Sequence, residues 1–277
     1  MTTDKNQLAD YLQAVREIAA EAGEAIMEIY RSDFAVEHKA DKSPLTEADL
    51  RSHAIIVERL ARLAPDIPVL SEEEKALPFE QRRQWRTYWL IDPIDGTREF
   101  VKRNDEFTVN IALIEDHRPV LGIVDAPALD TRWFAAEGLG AWKQVDDKEP
   151  EPIQCRALEE GHLVVASTRS HGSPELQAFE AAIGEHESRP MGSSLKFCLV
   201  AEGAADLYPR LGPTSEWDTG AAQCVVEQAG GQVTTLDMKP LRYNTKESLL
   251  NPFFFVFGKQ SRDWSRYLPV SSDSKLS

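Results

Sequence analysis

The sequence predicts a mixed α/β fold of the α+β kind. Helices open the chain, an antiparallel sheet follows, and strand–helix units close it. Three observations carry this. Apolar residues recur at three- and four-residue steps through the first sixty or so positions, the period of helices with one buried face. From Tyr88 to Val145, apolar runs of strand length are separated by short polar turns, the spacing of strands that fold back on their neighbours. Beyond Pro152, strand-length and helix-length apolar patterns alternate.

Taken in order, Leu8, Tyr11, Leu12, Val15, Ile18, Ala19, Ala22, Ile26 and Ile29 define an amphipathic helix over residues 5–30. Residues 33–45 read as a short strand and a polar loop ending in Asp41-Lys42-Ser43-Pro44. Thr46-Glu47-Ala48-Asp49 opens a second helix carried by Leu50, Ala54, Val57, Leu60 and Leu63, and Pro65 closes it. Thr46 and Asp49 have the spacing at which a hydroxyl and a carboxylate cap each other's backbone N–H groups. Pro68-Val69-Leu70 is a brief strand that delivers Ser71-Glu72-Glu73-Glu74, and residues 75–86 form a polar insertion, helical or irregular. The apolar strand at residues 88–91 reads as ending at Asp92-Pro93, because proline gives no N–H to a ladder. Strands follow at residues 107–114, 120–124, 131–136 and 141–145. The run from Asp146 to Pro152 is the sharpest shift in composition. It places a boundary between an N-terminal α+β half, residues 1–155, and a C-terminal α/β half, residues 156–277. Within the latter we expect strands at 163–166, 205–208, 232–235 and 253–257 and helices at 174–183 and 195–201. A further helix, capped by Asp218, buries Ala221, Ala222, Val225, Val226 and Ala229 and is stopped by Gly230-Gly231. Residues 261–277 are polar and read as loosely held.

Composition narrows the function. A formal net charge of −15 argues against a nucleic-acid polymer or an anionic membrane as the main partner, yet allows a small phosphate ester, since a bound cation reverses the local field. The three cysteines, Cys155, Cys198 and Cys224, are dispersed and form neither a disulfide framework nor a zinc motif. The first residues carry no apolar signal core, and no apolar run approaches the length of a membrane span. The expectation is a cytoplasmic protein, monomer or weak dimer, with peripheral attachment to a membrane left open.

Chemistry concentrates where strands end in acids. Asp92-Pro93-Ile94-Asp95-Gly96-Thr97 holds two carboxylates three positions apart at a strand mouth. Such groups repel unless a cation lies between them, and Mg²⁺ takes oxygen ligands. The Ile94 carbonyl, left free by the turn, is a further oxygen. Glu72 leaves its own short strand in the same way, and Asp218 stands at a helix start, open both to capping and to ligation. Asp49 and Thr97 are open to a cap and a turn hydroxyl, or to a pair. As a pair, a carboxylate accepting the threonine proton frees that oxygen to take one from an attacking water. Gly192-Ser193-Ser194-Leu195-Lys196 has the small residues and free amides of an anion cradle, although the same stretch suits a loop with a capping serine. Thr168 and His171 follow a strand on another loop.

These motifs together resemble the inositol-monophosphatase-like superfamily of Mg²⁺-dependent, lithium-sensitive phosphatases. The likeness rests on the Asp92–Thr97 signature, Trp217-Asp218 and Glu72-Glu73. It extends through Glu106-Phe107-Thr108-Val109-Asn110 and Arg169-Ser170-His171, and the run from Gly192 to Gly203 points to its bisphosphate-nucleotidase branch. The resemblance implies a layered αβαβα sandwich with two or three Mg²⁺ ions held by Glu72, Asp92, the Ile94 carbonyl, Asp95 and Asp218. It implies that Asp49 and Thr97 activate water. Substrate contacts would come from Glu72, Asp95, Gly96, Thr97 and Asp218 at the reacting phosphate, and from Thr168, His171, Ser193 and Lys196 at the nucleoside and second phosphate. The reaction implied is removal of the 3'-phosphate of adenosine 3',5'-bisphosphate to give AMP, and action on 3'-phosphoadenylyl sulfate. Two alternatives stand beside it: the same chemistry on inositol or sugar phosphates, and a non-catalytic module that senses such a nucleotide. Gly220, where relatives carry alanine, bears only on local helix packing.

Overall fold

The computed structural model describes residues 3–38, 44–75, 77–159, 161–169, 173–259 and 262–269. Helix α1 (Lys5–Tyr30) starts where the Asp4 carboxylate accepts the Asn6 and Gln7 N–H groups, and it buries Leu8, Leu12, Val15, Ile18, Ala22 and Ile26. A small antiparallel pair, β1 (Val36–His38) and β2 (Pro44–Thr46), leads into α2 (Glu47–Leu63). The expected loop at residues 41–43 lies outside the described residues. The capping box is present: Thr46 N–H donates to Asp49 Oδ2 at 2.7 Å, and the Thr46 hydroxyl oxygen accepts Ala48 N–H.

The chain then runs through β3 (Val69–Ser71), α3 (Phe79–Arg82), β4 (Thr87–Asp95), α4 (Thr97–Lys102), β5 (Thr108–Glu115), β6 (Arg118–Ala126), β7 (Thr131–Ala136), β8 (Gly140–Val145) and β9 (Glu151–Pro152). These strands form a seven-stranded sheet in the order β3-β4-β5-β6-β7-β8-β9, antiparallel except for the parallel pair β3–β4. There follow β10 (Val164–Ser167), α5 (Pro174–Ile183), β11 (Glu187–Pro190), α6 (Leu195–Ala201), β12 (Leu207–Arg210), α7 (Gly220–Gln228), β13 (Gln232–Thr235) and β14 (Phe254–Phe257). Their strands make a five-stranded mixed sheet in the order β11-β10-β12-β14-β13.

Alternation along the strands builds the layers. Trp89 and Ile91 of β4 face α1 and α2, while Tyr88 and Leu90 face α6 and α7. In the second sheet Val164, Phe254 and Val256 meet the same two helices from the other side, while Val165, Phe255 and Phe257 pack on Leu176 and Phe179 of α5. The result is helix, sheet, helix, sheet, helix. Because the central strands β4, β5, β6 and β14 are covered on both faces, they are near-continuously buried. Helix α7 lies so close to the first sheet that a Cβ added at Gly122 would sit 2.2 Å from the Ala221 carbonyl oxygen.

Four expectations are corrected. β4 does not stop at Pro93 but runs to Asp95. Its register shifts between Asp92 and Asp95, so Pro93 and Ile94 bulge opposite a single residue and the absent N–H costs no ladder bond. Asp218 does not cap α7: Thr219 holds the N-cap position, and Asp218 Oδ2 turns back to accept Ser215 N–H at 3.0 Å. Strand β11, Glu-Ser-Arg-Pro, went unread because an exposed polar edge strand has no hydrophobic period. Within the tail, Trp264 is fully buried against the α5 side of the second sheet, so this part is tied down.

Candidate active site

Parallel pairing of β3 with β4 sets the first part of the site. Ser71 lies beside Ile91, so Glu72, just past the end of β3, and Asp92, inside β4, stand side by side, and Glu72 N–H donates to Ile91 O at 3.3 Å. Asp218 arrives from the turn before α7. One oxygen from each of Glu72, Asp92 and Asp218 lies within 4.8 Å of the others. Asp92 is buried at 1% exposure, and the other two are half-buried. Burial pushes the Asp92 carboxyl well above the usual carboxylate range, and the charges of Glu72, Asp95 and Asp218 push it further. Asp218 is raised for the same reasons, burial first, then Asp95 and Glu72. No salt bridge among the described residues reaches Asp92 or Asp218. A set made only of crowded carboxylate oxygens fits a hard divalent cation.

Asp95 is not part of that close trio. Its Oδ2 accepts the Ser193 hydroxyl at 2.7 Å and the Ser194 N–H at 2.7 Å, and the Ser194 hydroxyl lies 2.7 Å away. Its Oδ1 carries no hydrogen bond among the described residues. Asp95 therefore fixes the loop before α6 with one oxygen, and its charge raises the Asp92 and Asp218 carboxyls further. The Ile94 carbonyl lies 3.3 Å from the Thr97 hydroxyl. Gly96 has φ +95°, which only glycine adopts at low cost, and lets the chain turn into α4.

Asp49 and Thr97, forty-eight positions apart, meet: Thr97 Oγ1 donates to Asp49 Oδ1 at 3.1 Å. The two readings of Asp49 hold together, one oxygen capping α2 and the other holding the threonine. Helix α2 grips this region twice more, through Ser52 Oγ to the Pro93 carbonyl at 2.9 Å and His53 Nδ1 against Ser71 Oγ at 2.9 Å.

Beside the acids opens a cleft of about 450 Å³, with Asp95 and Asp218 in its wall. Thr168, Ser193 and Lys196 line it as expected; His171 lies outside the described residues. Lys196 is buried, and its Nζ donates to the carbonyls of Ser193 at 2.7 Å and Met191 at 3.2 Å, so it supports the cradle from behind. Burial pushes its pKa down to about 8. Arg98, Arg169 and Arg210 also line the cleft, although none of them stands among the expected site residues. Arg169 pairs with Glu106, whose Oε2 also accepts Gly192 N–H at 2.8 Å. Ser194, next to the expected Ser193, also belongs to the site: both its N–H and its hydroxyl reach Asp95. The repeated serine was the signal that offered it. Arg98 and Arg210, far apart in the chain, carry no local signal, whereas Arg169 stands beside His171 in the run that carries the family likeness.

Known proteins are similar to this chain in sequence and in fold. The inositol monophosphatase family matches residues 7–262. The chain is 49% identical over 247 residues, 88% of its length and 98% of the relative's, to the 3'(2'),5'-bisphosphate nucleotidase CysQ of Salmonella typhimurium. The crystal structure of CysQ from Bacteroides thetaiotaomicron superposes with a TM-score of 0.79 at 40% identity, covering 91% of this chain and 98% of that one. An inositol monophosphatase from Anabaena superposes with a TM-score of 0.72 at 25% identity, covering 95% of this chain and 98% of that one.

Proposed function

This chain belongs to the inositol monophosphatase family of metal-dependent phosphatases, and we propose that within it the protein is a 3'(2'),5'-bisphosphate nucleotidase. It removes the 3'-phosphate of adenosine 3',5'-bisphosphate to give AMP and acts likewise on 3'-phosphoadenylyl sulfate. The observation that carries the substrate class is the cleft. Cationic Arg98, Arg169, Lys196 and Arg210 line a cavity that begins at the acidic cluster, next to the apolar faces of Leu176, Phe197, Tyr208 and Leu211. A substrate with a second anionic group and a flat base uses both; inositol monophosphate uses neither.

Glu72, Asp92, Asp218, the free oxygen of Asp95 and the Ile94 carbonyl would hold Mg²⁺, two or three ions, which when bound supply positive charge against the phosphoryl oxygens and make water more acidic. Asp49 keeps the Thr97 hydroxyl polarised, so that this oxygen accepts a proton from the attacking water. Asp95, through Ser193 and Ser194, ties the reacting end of the substrate to the cradle that receives its distal end. Thr168 and Ser193 offer hydroxyls to the sugar and the second phosphate, and Lys196 adds charge from beneath. The protein acts as a cytoplasmic monomer or weak dimer; no helix of the described residues is long and apolar enough to cross a membrane.

Phosphate release over adenosine 3',5'-bisphosphate, 3'-phosphoadenylyl sulfate, inositol 1-phosphate and a sugar bisphosphate, with Mg²⁺ and then with added Li⁺, tests the reading. The nucleotides should lead in kcat/KM by a hundredfold or more, and Li⁺ should inhibit. Equal or faster release from inositol phosphate would assign the site to that chemistry instead. Metal-dependent nucleotide binding without release would make it a sensor.

A further inference from the structure

The polar insertion between β3 and β4 remains unexplained by the reaction, yet it contributes Arg82, a guanidinium at 1% exposure. We infer that Arg82 is a positioning residue for the metal centre: acting through Asn244 and Glu216, it holds the turn that aims the Asp218 carboxylate.

The chain of contacts is continuous. Arg82 stacks over Phe79, 5.0 Å from the ring centre, and donates to Asn244 Oδ1, to the Lys246 carbonyl at 3.0 Å and to the Glu247 carbonyl. Asn244 answers with its Nδ2, 2.7 Å from the Arg82 carbonyl, so the two residues are joined in both directions. Asn244 then donates its own N–H to Glu216 Oε2 at 2.9 Å. It sits at φ +52°, in the left-handed region that asparagine adopts more readily than most residues. Glu216 is buried, and its carbonyl accepts the Thr219 N–H at 3.2 Å, the Thr219 hydroxyl at 3.1 Å and the Gly220 N–H at 3.1 Å. Those bonds close the turn over Ser215–Asp218 on which the Ser215 N–H fixes Asp218 Oδ2. Asn251 seals the far side, donating to the Ser215 carbonyl at 2.9 Å and to Thr219 Oγ1 at 3.0 Å.

This geometry matters because Asp218 has no secondary structure of its own to orient it. It precedes α7 without capping it, and the repulsion of Glu72, Asp92 and Asp95 pushes it outward until a cation binds. A stiff turn keeps the carboxylate where the cation needs it; a loose turn lets it swing away, and the metal then has to order it on binding. Arg82 also lies ten positions after Glu72, so one buried side chain ties the segment that leaves one carboxylate to the turn that carries another.

The inference rests on Asp218 as a metal ligand, not on the identity of the substrate. Calorimetric titration of the metal-free protein with Mg²⁺ alone tests it. Arg82→Met should weaken Mg²⁺ binding tenfold or more. In turnover assays it should raise the Mg²⁺ needed for half-maximal rate by a similar factor, while kcat at saturating Mg²⁺ recovers to within about threefold. Arg82→Lys should fall between, since one ammonium cannot reach Asn244 and both carbonyls at once. The control Arg83→Met, which removes only an exposed pairing with Glu80, should bind Mg²⁺ like the parent. If Arg82→Met does not fold, Asn244→Gly cuts the side-chain link while accepting the positive φ and keeping the N–H to Glu216, and it should weaken Mg²⁺ binding in the same direction. A lower melting temperature with unchanged Mg²⁺ affinity in either variant would make Arg82 a brace of the fold only. A parent protein that binds no Mg²⁺ would instead overturn the proposed function.

Discussion

Asp92→Asn should stabilise the metal-free protein and destabilise the metal-loaded one, so that the order of the two melting temperatures inverts on adding Mg²⁺. In the metal-free protein, Asp92 is buried within 4.8 Å of two other carboxylates, and an ionised pair at that separation repels by roughly 332/(20 × 4.8), about 3.5 kcal/mol, at an effective dielectric constant of about 20. The cluster avoids part of this by holding protons, which is why Asp92 and Asp218 sit well above the usual carboxylate range. The relief on neutralising Asp92 is therefore smaller than the bare repulsion, about 1–3 kcal/mol, or roughly 2–8 °C in melting temperature for a chain of this size. With Mg²⁺ at a thousandfold excess over its Kd, the parent gains about 4.1 kcal/mol by linkage, and a variant that has lost a central ligand gains far less. Scanning calorimetry with chelator and then with excess Mg²⁺ measures both arms, and phosphate release should fall at least ~10³-fold. A metal-free Asp92→Asn protein that melts below the parent, or one that keeps the parent's Mg²⁺-induced gain, would refute the account of an uncompensated cation site.

Four further outcomes follow from the same geometry. Thr97→Val keeps the shape but removes the hydroxyl held by Asp49, and should lower kcat about 10²–10⁴-fold, the range of general acid–base effects, with Mg²⁺ affinity little changed; Thr97→Ser should recover most of it. Lys196, pushed down to about 8 by burial, should lose its charge as pH rises through that value, so KM for the bisphosphate nucleotide should climb above about pH 8. Bound cations offset the Asp95 charge that supports its protonation, so the direction holds in the metal-loaded enzyme. Because Asp92 and Asp218 are both raised, protons compete with the metal, and the Mg²⁺ concentration for half-maximal rate should rise as pH falls, read from rate curves at a series of pH values. Gly122→Ala would place a methyl 2.2 Å from the Ala221 carbonyl oxygen and force α7 off the sheet; a loss of about 3 kcal/mol or more, or insoluble expression, is expected, and a parent-like denaturation midpoint would contradict the packing.

What the sequence by itself determined is what local backbone chemistry decides. The Thr46–Asp49 cap and the apolar runs of β4 to β8 depend on torsions and hydrogen bonds spanning a few residues, so their signals are written side by side in the chain. The Thr46–Asp49 box formed as its spacing requires, and the acids were legible because strands that end in carboxylates are costly without a purpose. Only the tertiary structure decided which distant groups meet. Pro93 stayed in β4 because a bulge opposite β5 absorbed it. Glu72 stands beside Asp92 because β3 pairs parallel with β4, and Asp49 reaches Thr97 because α2 lies under that strand. Asp218 looks like a helix cap until the buried Arg82–Asn244–Glu216 contacts turn it toward the cluster. These encounters are fixed by burying apolar faces on both sides of two sheets at once, a condition set by the whole chain and carried by no single stretch of it.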